Sequence, residues 1–310
     1  MKNDYPSMLH RFTIGRQMVI FALALVPFVV MGVIRYGMHV VWMLLVAYAS
    51  ALIVELLFSK IRQLKLDLGL LITPLIFTLI LPPTLPLWIV AVGSSFGVFF
   101  GKAMFGGFGK NIFNPAIVGR LFITISFPAH MATMWLEPGA DVITTATPLG
   151  VLNSGGDFSY TMMELLLGDV AGSVGETFRL GILIIGILLI LLRIINWRIP
   201  VFFIGSVFLT TWIGGLIAPD MFRDPLLSIF VGGLLFGAFF VASDPITSPY
   251  TQKGRIFYGI GLGIITVVIR NFAAFPEGVM FAIIIMNAFA PQLDNLVKKR
   301  RDSKEEGEMA

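Results

Sequence analysis

Cysteine is absent from this chain of 310 residues, histidine occurs three times, and charged residues make up only 13%. Without a thiol there is no disulfide, no thiolate nucleophile and no ligand set for an iron–sulfur cluster or a c-type haem. His10, His39 and His130 are scattered without ligand spacing, so no metal site is expected. A soluble domain carries roughly 25% charge. The shortfall is filled by apolar side chains: 57% hydrophobic residues, 28 Phe, 15 Met and a mean hydropathy of +0.90. A soluble globule of this length has too little interior to hide that surface. The composition predicts an all-α polytopic membrane protein. The net charge of +4 then reads as an orientation signal, and no nucleic-acid partner is expected.

Ten apolar runs are read as spans, at 18–34, 40–58, 68–81, 86–104, 112–127, 180–195, 200–218, 226–242, 256–269 and 279–290. Three of them, 68–81, 256–269 and 279–290, fall well short of the roughly 17 residues of a full crossing. They predict broken helices or boundaries displaced by a few residues. With the N-terminus inside, the inner side collects seventeen Lys and Arg, while the outer side receives only Arg35, Arg179, Arg223 and Arg270. This bias places both termini on the cytoplasmic side of the cell's inner (cytoplasmic) membrane. The organisation expected is a first membrane repeat at 1–127, an extracytoplasmic loop at 128–179, a second repeat at 180–295 and a charged cytoplasmic tail at 296–310. The loop is acidic and long, and such loops are usually functional or disordered.

The two halves resemble each other. Leu81-Pro82-Pro83 closes the third span as Ser243-Asp244-Pro245 closes the eighth, and Asn114 has a counterpart in Asn287. Five spans per half require the second copy to insert upside down. Proline-broken helices at matching places in inverted halves point to a midplane site. The breaks at 82–86 and 244–249 are expected to meet there, beside Asn111, Asn114, Asp244 and Thr247, with Phe105, Phe108 and Phe113 as flat walls. Asp244 and Arg120 are ionisable residues at membrane depth and therefore functional candidates. Asp244 reads equally well as the cap of its own turn. The glycine-rich stretch 106–116 lacks a preceding strand and a Gly-Lys-Ser/Thr ending, which argues against a nucleotide loop.

On the outer loop stands Asp141-Val142-Ile143-Thr144-Thr145-Ala146-Thr147-Pro148-Leu149. Taken alone, it is a polar turn whose hydroxyls are open to an enzyme acting outside. It closely resembles the flavin-attachment motif of the RnfD/NqrB family of redox-driven ion pumps. Residues 109–116, 172–177, 243–249 and 81–83 also look like blocks of that family, and the length is that of its RnfD branch. Thr145 departs from the family, where glycine is usual, and puts a second hydroxyl near the acceptor.

The resemblance implies ten transmembrane helices in two inverted five-helix repeats, urea-transporter-like, with broken helices. It implies FMN joined covalently by a phosphoester to Thr147, with Asp141, Thr144, Thr145 and Ala146 completing the motif. Gly172, Ser173, Gly175, Glu176 and Arg120 would lie against that flavin. The midplane site would take riboflavin or another non-covalent flavin, or else a coupling ion. The implied setting is an Rnf complex, in which electron flow between ferredoxin and NAD⁺ is coupled to Na⁺ or H⁺ movement. Its partners would be RnfA, RnfB, RnfC, RnfE and RnfG, with an extracytoplasmic FMN transferase. A redox-inactive transporter or channel of the same fold, or a scaffold subunit, are the rival readings, because fold alone does not fix function.

Overall fold

In hydrocarbon every backbone N–H and C=O must find a partner within the chain, so uninterrupted apolar runs fold as helices. The computed structural model describes residues 8–63, 69–138, 147–154, 159–273 and 277–308, and among these there is helix but no strand. The first half holds α1 (Met8–Tyr36), α2 (His39–Arg62), α3 (Gly69–Leu79), α4 (Leu87–Val98) and α5 (Pro115–Ser126). Three short helices follow in the loop region: α6 (Pro128–Thr133), α7 (Pro148–Ser154) and α8 (Met162–Leu167). The second half holds α9 (Arg179–Leu191), α10 (Arg198–Ile217), α11 (Pro225–Phe230), α12 (Leu234–Phe236), α13 (Gln252–Phe272) and α14 (Val279–Glu308). Five helices, α1, α2, α10, α13 and α14, are long and apolar enough to cross a bilayer. With the shorter apolar helices between them, the chain is an all-α polytopic membrane protein.

The short spans are not all where the sequence puts them. The runs 256–269 and 279–290 belong to helices of 21 and 30 residues, because polar residues at their ends continue the helix past the apolar stretch. The helices that are short are α3, α4, α5 and α9, of 11, 12, 12 and 13 residues. The run 226–242 is no single helix. It consists of α11, a break at Val231-Gly232-Gly233, the three residues of α12 and a π turn at Gly237–Val241. Gly232 stands at φ +66°, a conformation that needs glycine. A matching π turn, Phe99–Ala103, ends α4.

Broken helices leave carbonyls to be satisfied. The segment 172–177 closes the end of α3, where Gly175 N donates to Leu79 O at 2.7 Å and Val174 N to Leu81 O at 3.1 Å. Arg270 donates to Ser228 O (2.7 Å) and Val231 O (3.1 Å) where α11 stops. Arg179 donates to Leu165 O at 2.6 Å in α8, and Arg35 to the carbonyls of Leu167 and Gly168 at its end. Three arginines that charge counting assigns to outer loops are thus anchors, and Arg179 and Arg270 are buried.

The two proline breaks do not meet, contrary to expectation. Gln17 of α1 lines a cavity with Asp244. Leu85 instead accepts from His39, just past the other end of α1. At 1.5 Å per helical residue, the path from Gln17 to Arg35 covers about 27 Å. The two breaks therefore lie toward opposite ends of α1.

Candidate functional site

Asn114 begins α5 as its N-cap, followed by Pro115 at the first helical position. Its Oδ1 accepts from Ala116 N (3.0 Å) and Ile117 N (3.4 Å), and its Nδ2 donates to Asp244 Oδ2 at 3.3 Å. Asp244 also accepts from Ile246 N (3.1 Å, Oδ1) and Thr247 Oγ1 (3.3 Å, Oδ2), so it caps the turn that follows the second π turn. Asn287 of α14 is oriented with its Oδ1 accepting from Asn114 N at 3.2 Å and its Nδ2 donating to Tyr258 Oη at 2.6 Å. That orientation also satisfies Ile283 O, which the reverse one leaves without this donor. The two asparagines that match between the halves are therefore in contact. Asn111 is buried and accepts from Gly109 N, while its amide donates to Phe113 O.

Beside this knot lies a cavity of about 280 Å³ whose wall includes Gln17, Phe21, Thr73, Lys102, Phe108, Asn111, Asn114, Phe240 and Asp244. It is mostly apolar with a few convergent polar groups and lies near the roughly 300 Å³ lower bound of small-molecule pockets. Phe108 is a wall as expected. Phe105 and Phe113 are not, and instead pair edge-to-face with ring centroids 6.1 Å apart. Phe21 and Phe240 take their places. Lys102, which lies within the run 86–104 and counts toward the inner side, is buried inside the first π turn and bonded to Glu55 of α2 at 2.6 Å. A buried ion is tolerated at such depth when it is paired.

At the opposite end, Thr147 is half-buried at the start of α7. Its Oγ1 accepts from Gly150 N at 3.1 Å and its carbonyl from Val151 N at 2.9 Å, which makes it the helix N-cap. Leu149 packs with Leu165, Val170 and Val231 and so seats α7 on the break in the eighth span. Asp141, Thr144, Thr145 and Ala146 lie outside the described residues.

Beneath α7 is an ion network that the sequence only partly reveals. Glu277 lies 3.9 Å from Arg120 and 3.7 Å from Arg270 and accepts from Gly233 N at 3.4 Å. Glu176 converges on the same glycine: a Cβ at Gly233 would stand 2.7 Å from Glu176 Oε2 and 3.7 Å from Glu277 Oε2. The space left is about 10 Å³, enough for one water at most. Burial and the neighbouring Glu176 push the Glu277 carboxyl above its usual range, against the pull of Arg120 and Arg270. Of the residues expected against a flavin, Arg120 and Glu176 belong to this network and Ser173 N donates to Glu176 at 3.0 Å. Gly175 fits against Leu79 and Phe236, and Gly172 against Thr177 and Glu176. These residues form a closed floor under α7. Sequence reasoning misses Glu277 and Arg270 as site residues, although an acidic residue in Pro276-Glu277-Gly278 before an apolar run is a visible signal.

The model of the NQR2, RnfD, RnfE family matches residues 3–302. Over 291 residues the chain is 36% identical to a subunit of the proton-translocating ferredoxin:NAD(+) oxidoreductase complex of Clostridium ljungdahlii, covering 89% of this chain and 88% of that one. It is 35% identical over 327 residues to a subunit of the ion-translocating oxidoreductase complex of Stutzerimonas stutzeri, covering 94% and 92%. A subunit of the Na(+)-translocating NADH-quinone reductase of Ectopseudomonas mendocina is 41% identical over 254 residues, but the match spans only 63% of that protein's length.

Proposed function

This chain belongs to the NQR2, RnfD, RnfE family, and from that footing we propose that it is the covalent-FMN electron-transfer subunit of an Rnf-type complex. That complex would exchange electrons between ferredoxin and NAD⁺ and couple the flow to Na⁺ or H⁺ translocation. The observation that carries this reading is the near full-length match to the Clostridium protein, within which Thr147 presents its hydroxyl at the head of α7. The chain holds no cysteine and no histidine pair suited to a metal centre, so a bound organic group is its natural means of carrying electrons.

Thr147 suits the tether. Esterification removes only the hydroxyl's proton, and the oxygen keeps the lone pair used by Gly150 N. Leu149 fixes α7 to the bundle, and the Arg120–Glu277–Arg270 network stiffens the floor below it. FMN bound there would supply one-electron and two-electron carriage.

The inner cavity is assigned to a second, non-covalent flavin, riboflavin or a relative, with Asn111 and Asn114 as polar contacts and Phe108 as a flat wall. Asp244 already faces three donors, which speaks against a cation needing several converging oxygens. The partners in this reading are RnfA, RnfB, RnfC, RnfE, RnfG and an extracytoplasmic FMN transferase. The chain would sit in the cytoplasmic membrane with 128–179 outside and both termini inside.

The test is in-gel flavin fluorescence after denaturing electrophoresis of the membrane complex. Thr147→Ala is expected to abolish the band, and Thr144→Ala to keep it at least in part. Full fluorescence in Thr147→Ala would move the acceptor elsewhere, Thr145 first. No fluorescence in the parent would leave the rival transporter or scaffold.

A further inference from the structure

At the end of the bundle where α1 begins, a second cavity of about 420 Å³ opens between the α9–α10 turn and the segment before α13. Arg193, Arg198 and Arg255 all line it, together with Trp197, and among the described residues no carboxylate does. The chain holds each of these arginines in place. Arg193 adopts a left-handed backbone, φ 57°, which is rare for a residue with a side chain. There α9 closes, with Arg193 N donating to Ile190 O and Ile194 N to Leu189 O, both at 2.9 Å. Arg198 donates to Gln252 at 2.7 Å and lies over the Trp197 ring at 4.8 Å. Arg255 Nε donates to Pro249 O at 2.8 Å.

Among the described residues these three positive charges face a single interacting carboxylate, that of Asp294, which does not line the cavity. Arg198 and Arg255 line the same cavity, so their like charges face one space. The carboxylate that interacts with Arg255 belongs to Asp294, whose oxygens already accept from Tyr250 N, Thr251 N and Thr251 Oγ1. A doubly bonding guanidinium is suited to phosphate oxygens. Immediately beyond the arginines the surface turns apolar, with Leu188, Leu191, Leu192 and Val201 exposed along α9 and α10. Trp197, also exposed, stands at the boundary, where such rings favour the headgroup level of a bilayer.

We propose that this cavity binds an anionic phospholipid, with its phosphate between Arg198 and Arg255, Arg193 beside it, and its acyl chains along the exposed face of α9 and α10. Basic pockets between helices at a membrane surface recognise headgroups in this way. The cavity shares Gln17, Ile194, Ile195 and Pro245 with the cavity beside Asp244, so a lipid bound here adjoins that cavity. The assignment rests on this chain's own charges and holds whether or not a second flavin is bound.

The test uses the intact complex, delipidated in detergent and exchanged into phosphatidylcholine vesicles containing phosphatidylglycerol. After re-extraction, bound lipid and non-covalent flavin are both counted by mass spectrometry. The Arg198→Gln/Arg255→Gln variant is expected to retain several-fold less phosphatidylglycerol than the parent. A Lys60→Gln/Arg62→Gln control, exposed at the same end of the bundle, should match the parent. Arg198→Lys/Arg255→Lys keeps the charge and is expected to fall between; it replaces the first variant if that one fails to assemble. Equal phosphatidylglycerol in parent and charge-removing variant overturns the proposal. So does loss of flavin with lipid unchanged, which would give the arginines to the neighbouring cavity's ligand, or displacement of the lipid by inorganic phosphate alone.

Discussion

Asn114 and Asp244, 130 residues apart, meet through a hydrogen bond of 3.3 Å from Asn114 Nδ2 to Asp244 Oδ2. The contact joins the start of a helix in one half to the end of a broken helix in the other, and Asn287 and Tyr258 extend it into α14 and α13. At this depth each polar group depends on its neighbours, because water does not replace a lost partner.

Asp244→Asn preserves the volume and part of the turn cap but removes the charge. Electron transfer through the assembled complex is expected to fall several-fold while Thr147 fluorescence stays at the parental level. Parental turnover in this variant would reduce Asp244 to a turn cap and remove the case for a working site there. Asp244→Ala strands the donors of Asn114 and Ile246 and should also lower stability by about 1–3 kcal/mol, read from thermal unfolding in detergent.

Arg270→Ala leaves the carbonyls of Ser228 and Val231 without their donors and Glu277 without one of its cations. A loss of about 3–5 kcal/mol is expected, the range for breaking a buried ion pair by removing one partner. Hydrogen exchange should rise first around 225–236, where the eighth span breaks. Unchanged protection in that segment would mean that Arg270 does not hold the break together.

Gly263 lies where α13 presses on α10. A Cβ there would overlap Ser206 Oγ and stand 2.9 Å from Phe203 O. Gly263→Val is expected to force the two helices apart at a cost of at least about 1–3 kcal/mol, with a drop in membrane yield. Gly205→Ala on α10, which meets nothing within 4 Å, should be silent. Equal yields for the two variants would show that the helices do not pack as closely as described.

Orientation can be read directly, since the parent has no cysteine. Ser159→Cys in the loop should react with an impermeant thiol reagent on intact cells, and Ser303→Cys only after permeabilisation. The reverse pattern would invert the topology and move Thr147 to the cytoplasmic side.

Much of this architecture is legible in the sequence because lipid allows so few alternatives: an apolar run of sufficient length has to be helix. Lengths are less legible, since hydropathy stops where helices α13 and α14 run on into polar residues. The break at Val231-Gly232-Gly233 is hidden inside an apolar run. Thr147 stands out through its motif, and Asn114 with Asn287 through their matched places. The pairing of Arg120 and Arg270 with Glu277 is not readable, because it is made through space between helices and charge counting treats Arg270 as a loop residue. The pairing of Lys102 is unreadable for the same reason: its partner Glu55 lies 47 positions away on another helix.

Each π turn carries one residue more than a regular α-helical path over the same rise. Lys102 sits in one and Phe240 in the other, and both line the cavity beside Asp244. Losing a single codon from either turn would let the chain close as a regular α-helix and remove the wide turn on which the cavity-lining side chain stands. The inner cavity thus depends on residue count within 99–103 and 237–241 as well as on residue identity, and a one-residue deletion in either turn should disturb it more than a conservative substitution there.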